Sequence, residues 1–153
     1  MKIINEFHLE SPFLQAFQGR FVGVLRWEQL DNLWKTLADQ AEQGWYVYAV
    51  GEPPPTQPLT APHLREVITE LDALLRRDHN QDYCGIVYTD SVTEPSLIKV
   101  YDPHQLGSVC GSSGAPVLPG WVLSRLVPVD LPAALPQPGN RRRWWEKLLG
   151  NFG

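Results

Sequence analysis

Cys110 stands in the string Val109-Cys110-Gly111-Ser112-Ser113-Gly114, where a thiol sits between small residues. Such a sulfur can approach a substrate closely, and neighbouring backbone amides can stabilise an oxyanion. His104 or His79 would be the base that activates it. Those three positions, joined by Cys84, read differently as His79-x4-Cys84 and His104-x5-Cys110, two nitrogen and two sulfur donors of the kind that hold zinc tetrahedrally. Structural zinc sites draw their close pairs from short knuckles or helical turns, and neither spacing fits. Cys84 instead alternates with Ile86 and Tyr88 as a strand residue, and buried apolar cysteines are the commoner kind. No metal and no cofactor is expected.

The Cys110 segment resembles the nucleophile segment of papain-like proteases, C-G-[SA]-C-[WY], over three residues, and departs from it at Ser113. That family also needs a downstream histidine, and none follows His104, so the resemblance is set aside. A serine nucleophile elbow, G-x-S-x-G, is absent. Gly107-x3-Gly111-x2-Gly114 lacks the Lys and Ser/Thr of a phosphate loop and has no dinucleotide-binding spacing. Asp78, Asp82, Asp90, Glu94 and Asp102 gather around one predicted hairpin but match no calcium loop, so they read as solvated turn residues.

The end of the chain carries a different chemistry. Trp144, Leu148 and Phe152 recur at helical spacing with Trp145 and Leu149 beside them, after Arg141, Arg142 and Arg143. A helix of about twelve residues is marginal alone in water, so this one needs a surface to lie on. A groove on a protein partner is the expected surface; an anionic membrane and the chain's own body are the alternatives. From Gly139 onward four cations stand against Glu146, which leaves an acidic body under a net charge of −4. An acidic body lacks the basic face that phosphate neutralisation needs, so nucleic acid is not an expected partner.

The elements that would position these residues read as follows. Ile3–Leu9 and Phe21–Leu25 are apolar patches read as strands, with Phe13, Leu14 and Phe17 between them suited to a helical turn. Leu30, Leu33, Trp34, Leu37 and Ala41 form one stripe of a helix over 27–43, closed by Gly44. Trp45–Val50 reads as a strand, whose aromatic residues could also line a small-ligand site, and Gly51–Thr60 as a stiff proline loop. Thr60 caps a second helix whose Leu64, Val67, Ile68, Leu71, Leu74 and Leu75 share a face, with Arg76 and Arg77 complementing its dipole. Strands at Cys84–Thr89 and Ser96–Tyr101 make an antiparallel hairpin, and Trp121–Val127 is the last strand.

The 153 residues suit one domain with a packed core, and 14 prolines predict long irregular connections. The expected fold is α+β: a mostly antiparallel sheet of five to six strands, two amphipathic helices on one face, and a short C-terminal helical tail. Residues 1–131 form the domain, 132–139 a proline-rich linker and 140–153 the basic-aromatic tail. With no apolar leader and only two cysteines, the cytoplasm is the expected compartment. The expected role is a non-enzymatic accessory or adaptor protein that binds a protein partner through Arg141–Arg143, Trp144, Trp145, Leu148, Leu149 and Phe152. The alternative is a small thiol-dependent enzyme or metal-binding protein using Cys110 and Cys84 with His79 and His104.

Overall fold

A computed structural model describes residues 11–106 and 117–135. The expected strand at Ile3–Leu9, the Cys110 loop and the tail from Arg141 lie outside the described residues. Among the described residues the chain forms α1 (Pro12–Phe17), β1 (Val22–Val24), α2 (Trp27–Asp39), a 3₁₀ turn (Ala41–Gln43) and β2 (Tyr46–Ala49). These are followed by α3 (Ala61–Asp78), β3 (Val87–Thr89), β4 (Leu97–Val100), α4 (Pro103–Leu106), β5 (Trp121–Ser124) and α5 (Leu131–Ala134). The strands join into one five-stranded sheet in the order β1-β3-β4-β5-β2, every neighbouring pair antiparallel. This is an α+β fold with the expected antiparallel sheet.

The two long helices form where their stripes predict. Gln29 Oε1 accepts from the backbone amides of Leu25 and Arg26, at 3.1 and 2.9 Å, and so serves the start of α2. Gly44 adopts φ 86°, the left-handed conformation a non-glycine residue rarely takes, and ends the helical segment. Thr60 Oγ1 accepts from His63 N at the start of α3, with Pro62 in the first turn. Leu30, Leu33 and Leu37 of α2 meet Leu64, Ile68, Leu71 and Leu75 of α3 in one buried cluster over Val87, Ile98, Val100 and Leu123 of the sheet. Polar groups stitch the helix pair: Trp34 Nε1 donates to Asp72 at 3.2 Å, and Arg76 links Asp72 with Asp31.

A second layer covers the opposite face, which periodicity did not reveal. Phe13, Leu14 and Phe17 of α1 and Leu131 of α5 pack on Tyr48, Leu97 and Val122. The alternation along β4 shows the division: Ile98 and Val100 face the long helices, while Leu97 and Lys99 face the short ones. Ser11 caps α1 by accepting from Leu14 N at 3.2 Å, and Asp130 caps α5 by accepting from Ala133 N. Tyr48 Oη accepts from Leu131 N at 3.1 Å, tying α5 to the edge strand. Pro132, expected to open a linker, occupies the first turn of α5.

The strands are shorter than their apolar runs suggest. Of the run Phe21–Leu25, Val22–Val24 form the strand that pairs with Val87–Thr89. The last strand stops at Ser124, whose hydroxyl turns to Leu126 O at 2.8 Å. Asp90 closes the β3–β4 hairpin by accepting from the amides of Ser96 and Leu97 and from the Ser96 hydroxyl. Among the described residues, no helix is long and apolar enough to cross a membrane.

Candidate functional site

The His/Cys residues end up with local partners. Cys84 is 2% exposed, and burial pushes its thiol above the usual 9.0, which holds the sulfur protonated and unreactive. His79 Nε2 lies 2.9 Å from Cys84 O, the backbone carbonyl of that residue, and its ring leans on Trp27. His104 Nε2 lies 2.9 Å from Asp78 Oδ2. Asp78 also accepts from Arg77, and that pairing, with His104 adding to it, holds its carboxyl below the usual range. Among the described residues, no three His, Cys, Asp or Glu side chains gather closely enough to hold a metal ion. The acidic cluster likewise divides among turns, Asp90 closing its hairpin and Asp102 accepting from His104 N at 2.9 Å.

The aromatic strand is part of the core. Trp45 and Tyr48 are both fully buried, on opposite faces of the sheet, so neither presents a ring to a ligand. Trp45 Nε1 donates to Gln40 O at 3.0 Å. On the short-helix face, Lys99 Nζ lies 4.1 and 3.9 Å from the ring centroids of Phe17 and Phe21. Burial lowers its pKa below the usual 10.5, since a partly desolvated ammonium is disfavoured. The two ring faces compensate part of that loss.

Among the described residues, a groove of about 500 Å³ lies between α3 and the β2–β5 edge. Val47, Ala49 and Trp121 of the sheet and Val67, Leu71 and Leu74 of α3 line it. His63, Glu66, Glu70 and Arg77 complete its lining from α3. Arg77 leans away to Asp78, at 2.9 Å, so its charge is already matched. Glu66 and Glu70, one helical turn apart, are exposed and form no ion pair among the described residues. The groove therefore joins an apolar floor to two unmatched carboxylates.

Its floor belongs to an edge strand that is closed to further pairing at both ends. Leu59 N donates to Trp45 O at 2.8 Å and Glu52 N to Ala49 O at 3.0 Å, so the proline loop returns along the edge. A strand-adding partner is thereby discouraged, and the open surface is the groove itself.

The groove residues were hidden within the stripe assigned to the second helix. Of its six apolar positions, Leu64, Ile68, Leu71 and Leu75 are buried in the core. Val67 and Leu74 are only half-buried, and they line the groove. Their offset of seven residues, flanked by His63, Glu66 and Glu70, is the signal of a second, shallower stripe. The sequence-predicted docking residues Arg141–Arg143, Trp144, Trp145, Leu148, Leu149 and Phe152, and the thiol of Cys110, lie outside the described residues. Compared with known proteins, the chain matches no family model, no curated protein and no solved structure.

Proposed function

We propose that this chain is a non-enzymatic adaptor that recognises a protein partner by helix-in-groove contact, with the segment Arg141–Phe152 as its docking element. The observation that carries the reading is the pattern of the tail itself, three arginines followed by Trp144, Leu148 and Phe152 at helical spacing. Amphipathic helices of this kind lay their apolar face into a hydrophobic groove on a partner, through anchors at i, i+3, i+4 and i+7. Trp144, Leu148 and Phe152 supply such anchors on the tail, and buried aromatic anchors hold most of the binding energy in contacts of this type. The cytoplasm is the compartment this proposal assumes, where a lone buried thiol such as Cys84 stays reduced.

The test is comparative capture from a lysate, read by mass spectrometry, with the full chain and with a Trp144→Ala/Leu148→Ala variant. A protein retained by the first and lost by the second is the expected result. Replacing Arg141, Arg142 and Arg143 should weaken capture most at low salt and less as salt rises, since salt screens the attraction of exposed charges. Identical proteins held by the full chain and the variant would end the adaptor reading. Full capture by a Cys110→Ser variant is expected, whereas its loss would favour the thiol-dependent alternative.

A further inference from the structure

We infer that the α3–β2/β5 groove is the resting seat of the chain's own C-terminal segment, so that a partner must displace the tail to engage it. The inference rests on the adaptor reading and adds a built-in competitor to it. Three observations converge.

The first is charge. The groove's unmatched groups are the carboxylates of Glu66 and Glu70, and the segment outside the described residues opens with Arg141, Arg142 and Arg143. Opposite charges placed this way fix the register of a helix that is otherwise held by apolar contact.

The second is reach. The described chain ends at Leu135, directly after α5, and α5 is tied to Tyr48 of β2. The groove lies across the same strand, floored by Val47 and Ala49 on its other face. Packed layers stand about 10 Å apart. The five residues Pro136–Asn140 can span about 17 Å when extended, more than one layer spacing, so a helix beginning at Arg141 can start beside the edge strand and lie along the groove.

The third is size. The groove follows α3 from His63 to Arg77, which is about 21 Å of helix, and Arg141–Phe152 would be about 18 Å long as a helix. Trp144, Leu148 and Phe152 fall on one side of such a helix and face an apolar floor of matching length.

The contact is designed to be weak. Two exposed ion pairs and a shallow groove hold the tail, and a partner with a deeper pocket for Trp144 wins it. Release of the tail then bares the groove, so one event changes two surfaces.

The experiment uses the full chain with a photo-reactive benzoylphenylalanine in place of Leu148. Irradiation followed by peptide mapping should place the adduct on α3 or β2, in material that runs as a monomer. Adducts elsewhere on the domain overturn the inference, and so does a covalent dimer, which would assign the groove to a second copy's tail. Chymotrypsin cleavage after Trp144 or Trp145 gives the second readout. Glu66→Lys with Glu70→Lys should speed it about tenfold, the effect of losing and then opposing two exposed pairs. Adding Arg141→Glu, Arg142→Glu and Arg143→Glu should return the rate to about the original value, because the pairs are restored with reversed sign. Equal cleavage in all three chains overturns the proposal. Both positions on α3 are exposed, so a melting temperature unchanged by the lysine pair separates a lost contact from a lost fold. Failure here leaves partner capture by the tail untouched, and failure of capture leaves the intramolecular contact standing.

Discussion

The two faces of the sheet are covered in opposite ways. One carries α2 and α3, 13 and 18 residues long, with β2 and the proline loop between them in the chain. The other carries α1 and α5, six and four residues long, from opposite ends of the described chain. Helices that short have no stability of their own in water. They persist because Phe13, Phe17 and Leu131 are buried against Tyr48, Leu97 and Val122. A long amphipathic helix brings its own order to a core, whereas the short layer borrows its order from the sheet. The groove lies on the long-helix side, between α3 and the β2–β5 edge, where Val67 and Leu74 are half-buried.

The comparison breaks most visibly at the largest side chains. Phe13→Ala should cost about 3–5 kcal/mol in chemical denaturation, the range for a buried phenylalanine. A loss that large on the short-helix face would show that the second layer is as much core as the first. Leu37→Ala and Leu71→Ala on the long-helix face should each cost about 2–5 kcal/mol. If Phe13→Ala instead falls within about 0.5 kcal/mol of wild type, as exposed sites do, the short layer is merely an appendage.

Tyr48→Phe tests a polar tie between that layer and the sheet. It removes the acceptor for Leu131 N and should cost about 1–3 kcal/mol, because that buried amide loses the partner it has in Tyr48. Amide exchange in α5 should accelerate with it. Lys99→Ala is expected to move stability by about 1 kcal/mol or less, since the ring contacts it loses offset the desolvation it escapes.

The smallest effect belongs to pH and to the long-helix face. Burial raises the Cys84 thiol above 9.0, so the unfolded chain loses that proton first. The associated stability is whole below about pH 9 and declines as pH rises through the folded-state value, by at most about 1.4 kcal/mol per pH unit. Denaturation midpoints between pH 8 and pH 10 should fall less steeply in Cys84→Ala than in the natural chain. Parallel slopes would mean that the thiol is more accessible than its 2% exposure indicates.

What could be read from the chain follows the reach of each signal. The α2 and α3 stripes, the Thr60 cap, the Gly44 stop and the β3–β4 hairpin depend on residues a few positions apart, and all appear where the pattern places them. Strand ends were less legible. Apolar runs such as Trp121–Val127 continue beyond the last paired residue, because pairing depends on a neighbour that the run itself does not contain. In the aromatic run, Trp45 and Tyr48 are fully buried on opposite faces while Tyr46 and Val47 stay half-buried, a division set by the two layers that pack on the sheet.

The amino-acid sequence by itself determined an α+β chain with two amphipathic helices, an acidic body and a basic aromatic end, since composition and local period specify these without a partner. Only the tertiary structure decided that α1 and α5 close the second face, that His79 and His104 turn to a backbone carbonyl and to Asp78, and that Val67 and Leu74 line a groove beside Glu66 and Glu70. Those outcomes join residues far apart in the chain. They depend on which surfaces the sheet leaves uncovered, and a one-dimensional pattern holds no information about a surface until its neighbours are in place.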